Sequence, residues 1–179
     1  MSRLLFILFL ILINYSIFAN DGAFFAKGNQ LIPITETDIS VKKEILTLKK
    51  IRNQIIEVTV YYEFFNPKEA KKVTVGFEAF SPEGDVDGAP KNGHHPYMRD
   101  FTVELNNSIL KYNVAYVADS LYNKNGKIKS LDLAKFEGSK SGNNVDFYYV
   151  YHFEANFKKG INIIKHTYNY DLSGSIDYH

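Results

Sequence analysis

The stretch from Gln54 to Pro67, Gln-Ile-Ile-Glu-Val-Thr-Val-Tyr-Tyr-Glu-Phe-Phe-Asn-Pro, constrains the fold of this chain more than any other. Ile56, Val58, Val60, Tyr62 and Phe64 recur at every second residue, with Glu57, Thr59, Tyr61 and Glu63 between them. That is the period of a β-strand with one face turned to a core, not of a helix. Each fully buried side chain on such a face contributes about 1.5–3 kcal/mol of gross transfer free energy. Asn66-Pro67 ends the strand, because proline has no N–H to give to a ladder.

The same alternation recurs along the chain. Leu31-Ile32-Pro33-Ile34 follows Ala23-Phe24-Phe25-Ala26 across a Gly/Asn turn, which suits a flap at a sheet edge where Pro33 is tolerated. Ile39 and Val41 alternate, and Ile45, Leu46 and Leu48 resume out of phase, predicting a bulge or turn near Lys43. Val73, Val75, Phe77 and Ala79 form the next strand, and the short Lys68–Lys71 link predicts that it pairs antiparallel with the Gln54–Pro67 strand. Phe101, Val103 and Leu105 lead through Asn106-Asn107-Ser108 to Leu110, Tyr112, Val114 and Tyr116, which reads as a hairpin. Ser130 is expected to begin one or two helical turns through Leu131, Ala134 and Phe136. Val145 to Phe157 is the longest alternating run, and Lys158-Lys159-Gly160 turns it back into Ile161–Tyr170. Seven to nine antiparallel strands in two packed sheets, an all-β immunoglobulin-like sandwich with at most one short helix, is the simplest fold for this pattern. A small outer-membrane β-barrel of eight tilted strands has a similar signature. It is disfavoured by charged residues on both strand faces and by the absence of Trp from the chain.

The first 19 residues differ in kind. Arg3 precedes an unbroken apolar run from Leu4 to Ile13, too short to span a bilayer, where about 20 residues are needed. This is the pattern of a secretory signal peptide, with cleavage expected after Ala19 and the remainder, residues 20–179, forming one domain. The sequence stops soon after Tyr170, so the domain is expected to be either complete with a short last strand or truncated at its C-terminus. Export to the periplasm or the extracellular space follows, with no stable membrane insertion once the signal is removed. A chain with no Cys cannot use disulfides or zinc-thiolate chemistry. Twenty-one basic against 20 acidic residues leave no electrostatic footprint for nucleic acid.

Residues 81–96, rich in Gly and Pro, have no apolar period and form a long loop holding Asp85, Asp87, His94 and His95. Asp85-Val86-Asp87-Gly88 resembles the start of a calcium loop, but the further oxygen ligands and closing Glu are missing, and adjacent histidines on an extended chain point apart. These four are weak metal candidates, and the expected reading is a solvated loop with no metal or cofactor. His152 and His166 fall inside strands and are expected to be hydrogen-bonded sheet residues. There is no Gly-x-Ser-x-Gly elbow and no phosphate-cradling loop, and Glu57 and Glu63 lie about 20 Å apart along one strand, too far for a glycosidase pair. The expectation is a non-enzymatic binding or structural module of the cell envelope, acting on an unknown protein or envelope component. The alternative is a metal-dependent hydrolase built on the 81–96 loop.

Asn20-Asp21-Gly22, the Asp38-Ile39-Ser40-Val41 to Leu48 stretch, Tyr62-Glu63-Phe64-Phe65-Asn66, Gly76-Phe77-Glu78-Ala79-Phe80-Ser81-Pro82 and His166-Thr167-Tyr168 occur in an order that resembles exported bacterial proteins of the domain-of-unknown-function family 4424. The resemblance implies an exported protein and carries no functional residues with it.

Overall fold

The computed structural model describes residues 31–33, 37–80, 88–117, 128–133 and 147–172. They form nine strands and no helix: β1 Leu31–Pro33, β2 Ser40–Arg52, β3 Ile55–Asn66, β4 Lys71–Phe80, β5 Met98–Leu105, β6 Ser108–Ile109, β7 Tyr112–Val117, β8 Tyr148–Phe157 and β9 Gly160–Asp171. Two antiparallel sheets, ordered β1-β4-β8-β7 and β2-β3-β9-β5-β6, pack their inner faces together. The fold is the expected antiparallel β-sandwich, and its open sheets do not close into a barrel.

The core follows the alternation. Val58, Val60, Tyr62 and Phe64 of β3 are buried, as are Val73, Val75, Phe77 and Ala79 of β4 and Tyr149, Tyr151, Phe153, Ala155 and Phe157 of β8. The bulge expected near Lys43 is present as a register shift between Val41 and Lys43. Pro33 lies on the edge strand β1, where its missing N–H costs the sheet nothing internal.

Two expected pairings are corrected. β3 and β4 do not pair with each other: β3 lies between β2 and β9, whereas β4 lies between β1 and β8. The Pro67–Ala70 link is a corner that passes from one sheet to the other, because a short connection spans the gap of about 10 Å between packed sheets as easily as it closes a hairpin. Lys158-Lys159 is a second corner of the same kind, carrying β8 into β9 of the opposite sheet. The Asn-rich hairpin is real but short: Asn106 and Asn107, at φ 49° and 68°, turn β5 into β6, after which the chain crosses to β7 beside β8. Positive φ at both central positions is the two-residue turn whose twist matches the strands, and Asn tolerates it.

If β2, β3, β4, β5, β7, β8 and β9 are taken as seven successive strands, an immunoglobulin domain would place the fifth beside the second and the seventh beside the sixth. Here the places are exchanged: β9 separates β3 from β5, and β7 flanks β8. The architecture is that of the immunoglobulin sandwich with a different strand order. Ser130 does not cap a helix within the described residues. Its Oγ accepts the Tyr116 N–H at 3.1 Å while the Leu131 N–H donates to the Tyr116 carbonyl at 2.8 Å, so the segment lies along β7. The rest of that expected helix, Ala134 and Phe136, lies outside the described residues.

Candidate functional site

The expected ligand cluster divides. Asp85 and Asp87 lie outside the described residues, whereas His94 and His95 are held in the run from Gly88 into β5. Lys91 and His94 exchange both backbone hydrogen bonds at 3.0 Å around Asn92 (φ 52°) and Gly93 (φ 80°), a tight turn that fixes where the two histidines begin. Tyrosines of β8 then tie the run to the four-stranded sheet. The Tyr149 hydroxyl donates to the Gly88 carbonyl at 2.6 Å, and the His95 N–H donates to the Tyr151 hydroxyl oxygen at 3.0 Å.

The two histidine rings point into different surroundings, as expected for neighbours on an extended chain. His94 is half-buried, its ring 6.0 Å from Tyr151 and 6.3 Å from Tyr112. His95 is 3% exposed, against Tyr149 at 5.0 Å and Tyr170 at 6.0 Å. Its ring nitrogens are both occupied. Nδ1 accepts the Tyr97 N–H at 3.2 Å, which fixes the proton on Nε2, and Nε2 donates to the Phe80 carbonyl at 2.9 Å. Burial lowers the His95 pKa to about 4, partly opposed by the hydrogen bond to Phe80. His95 is therefore a neutral clamp joining the ends of β4 and β5. A metal would have to break one of its hydrogen bonds to reach it.

His166 is the residue whose setting the alternation did not reveal. It lies in β9 between Val60 of β3 and Val103 of β5, fully buried. Phe77 at 4.7 Å, Phe101 at 5.8 Å, and Tyr62 and Tyr168, each at 6.2 Å, surround its ring. Neither nitrogen has a hydrogen-bond partner among the described residues, which corrects the expectation of a hydrogen-bonded sheet histidine. Desolvation lowers its pKa to about 3, so it is neutral. It packs as an aromatic ring and is closed to any reactant. His152, by contrast, is half-buried on the opposite face of β8 from the core, its pKa lowered by desolvation against the pull of Glu154.

The half-buried tyrosines at this end, Tyr97, Tyr112, Tyr116 and Tyr170, can stack on a ligand or donate a hydroxyl. Burial raises the pKa of Tyr112, Tyr116 and Tyr170, so they act as neutral phenols and not as bases. Among the described residues no three His, Asp or Glu side chains converge on a point that could hold a metal ion.

No protein-family model matches the chain, and no curated protein matches it. Among solved structures, the chain is similar to a Legionella pneumophila protein described as a "putative nutrient binding protein", at a TM-score of 0.55 and 15% sequence identity. The likeness covers 84% of this chain and 44% of the Legionella chain, so this chain spans less than half the length of that protein. At that identity it supports the fold alone.

Proposed function

We propose that this chain is exported and serves the cell envelope as a non-enzymatic binding module, on the family 4424 pattern that its sequence resembles. The observation that carries the reading is the state of His95. The hydrolase alternative needs imidazole nitrogens from the 81–96 loop, and both nitrogens of His95 already hold the sheet ends together, which leaves it His94 alone. The description of the Legionella protein as nutrient-binding is in keeping with a binding role. Export rests on the Arg3 and Leu4–Ile13 pattern.

The test is metal content and stability together. Protein purified without chelator is expected to retain no stoichiometric metal and to show no change in melting temperature on adding calcium or zinc. Stoichiometric metal that is lost in the Asp87→Ala/His94→Ala double variant would overturn the non-enzymatic reading. The intact mass of exported protein is expected to lack about the first 19 residues; membrane-bound protein still beginning at Met1 or Ser2 would instead make that segment an anchor.

A further inference from the structure

Among the described residues β2 pairs only with β3, so its other edge, along Ser40–Arg52, presents backbone N–H and C=O groups that no described strand pairs. Its side chains are open as well. Leu46 and Leu48 stand opposite Val60 and Val58, which are 2% and 6% exposed, yet they are themselves 58% and 61% exposed. The core therefore ends at β3, and the apolar centre of β2, with Ile45 beside it, faces solvent. Many natural edge strands are short, whereas this one has 13 residues and keeps an unbroken register with β3 from Lys43 to Lys50, its two irregularities falling at its ends.

Charge decides what can lie on it. β2 carries Lys42, Lys43, Lys49, Lys50 and Arg52 against a single acid, Glu44. The Glu44 carboxylate accepts the Tyr62 hydroxyl at 3.2 Å, Lys43 lies 3.8 Å from Glu63, and Lys42 sits over the Phe65 ring. Lys49, Lys50 and Arg52 form no ion pair among the described residues. A second copy added antiparallel to this edge would set the cations of one end against those of the other, and like charges directly opposed destabilise a ladder. An extended segment with an apolar centre and carboxylates at its ends meets apolar with apolar and base with acid.

We infer that the free edge of β2 is a docking site for such a segment from another protein, which adds to the five-stranded sheet as a sixth strand. Backbone hydrogen bonds supply affinity, Leu46 and Leu48 are covered, and the basic ends select for acidic flanks. This inference rests on the binding reading above and names the surface and partner chemistry for it.

Fluorescence anisotropy with two labelled peptides tests it, each with an alternating Val-Thr centre, one flanked by paired Asp and Glu and the other by paired Lys. The acidic peptide is expected to bind, more weakly as salt rises, and the Lys-flanked peptide to bind about tenfold less well or not at all. In a Lys49→Glu/Lys50→Glu variant, which leaves three cations against three acids on β2, the preference is expected to disappear. In Leu46→Thr/Leu48→Thr both affinities are expected to fall, with melting temperatures of both variants near that of the parent because the altered residues are exposed. No binding of the acidic peptide up to about 1 mM, equal binding of both peptides, or a preference unmoved by the charge reversal would each overturn the docking site. So would dimerisation lost in Leu46→Thr/Leu48→Thr, since it would make a second copy the occupant. If the acidic peptide fails and no metal is retained, this inference falls while the binding reading stands. Peptide binding as expected together with stoichiometric metal supports the edge and overturns the non-enzymatic reading.

Discussion

The two ends of the sandwich solve the same problem with different chemistry. At one end the corners β3–β4 and β8–β9 are closed by asparagines. Asn66, fully buried, donates to the carbonyls of Glu69 at 3.0 Å and Phe157 at 3.4 Å and accepts the Lys68 N–H at 3.2 Å. Asn162, also fully buried, accepts the Lys158 N–H at 2.9 Å and donates to the carbonyls of Lys158 at 2.7 Å and Gly160 at 3.1 Å. Asn106 joins them by donating to Asn162 at 3.2 Å, and Asp38 is clamped there by Lys71 and Lys68, which hold its pKa down to about 2. At the other end the closing groups are His95, Tyr149 and Tyr151. Amides do not titrate and histidines do, so the asparagine end responds to pH only through Asp38, in the acid range below its ordinary carboxylate value, whereas the other end responds through His95 from its ordinary imidazole value downward.

That contrast can be broken most strongly at Asn162. Asn162→Ala leaves the Lys158 amide and two carbonyls without their partner and is expected to cost about 2–3 kcal/mol in urea unfolding. A loss below about 0.5 kcal/mol would mean that water replaces the amide and that the corner is not set by it.

Between the two ends, the pH response of the core itself is read from His166→Phe. The unfolded chain takes up a proton on His166 near the ordinary value of 6.5, whereas the folded protein resists it down to about 3, so stability is fully present above that range and falls as pH drops through it. Between about pH 6.5 and 4.5, above most carboxylate titration, the slope of unfolding free energy against pH is expected to fall by about 1.4 kcal/mol per unit in the variant. His95 keeps a slope of its own in the same direction, because its folded pKa is also lowered. An unchanged slope would show that solvent reaches His166 in the folded state. The smallest effect is expected from Tyr149→Phe, which loses the hydrogen bond to Gly88 for about 1 kcal/mol. Amide exchange should quicken in residues 88–97 and stay as before around Asn66; equal quickening at both ends would show that they do not open independently.

Strands were legible where one face is buried along their whole length. β3 and β8 follow the alternation nearly residue by residue, and the phase break at Lys43 marked a real bulge. Sheet membership was not legible, since period-two alternation says which face is inside but not which neighbour lies alongside. For the same reason Ile45, Leu46 and Leu48 marked a strand without showing that it is an open edge. The corner role of Asn66 was masked by Pro67, which was sufficient by itself to explain the end of β3. Of the four candidate ligands, the sequence grouped them by proximity, and the hydrogen bonds of His95 come from Phe80 and Tyr97, partners that proximity to the aspartates did not indicate. His166 sits on the inward phase of β9, a signal for burial that was available, but its lack of a partner depends on four aromatic rings from three other strands and from β9 itself.

The exchange of β7 and β9 also bears on how the chain is made. β9 is the last of the described strands, and it separates β3 from β5, so while the chain is being synthesised those two strands have no neighbour between them. Asn66 and Phe157, which meet at the closed corner, are 91 residues apart in sequence. Loop closures of that span slow folding and leave strand edges open to aggregation meanwhile. The five-stranded sheet is thus completed only once β9 has left the ribosome, and until then β3 and β5 each keep an open edge where β9 will lie.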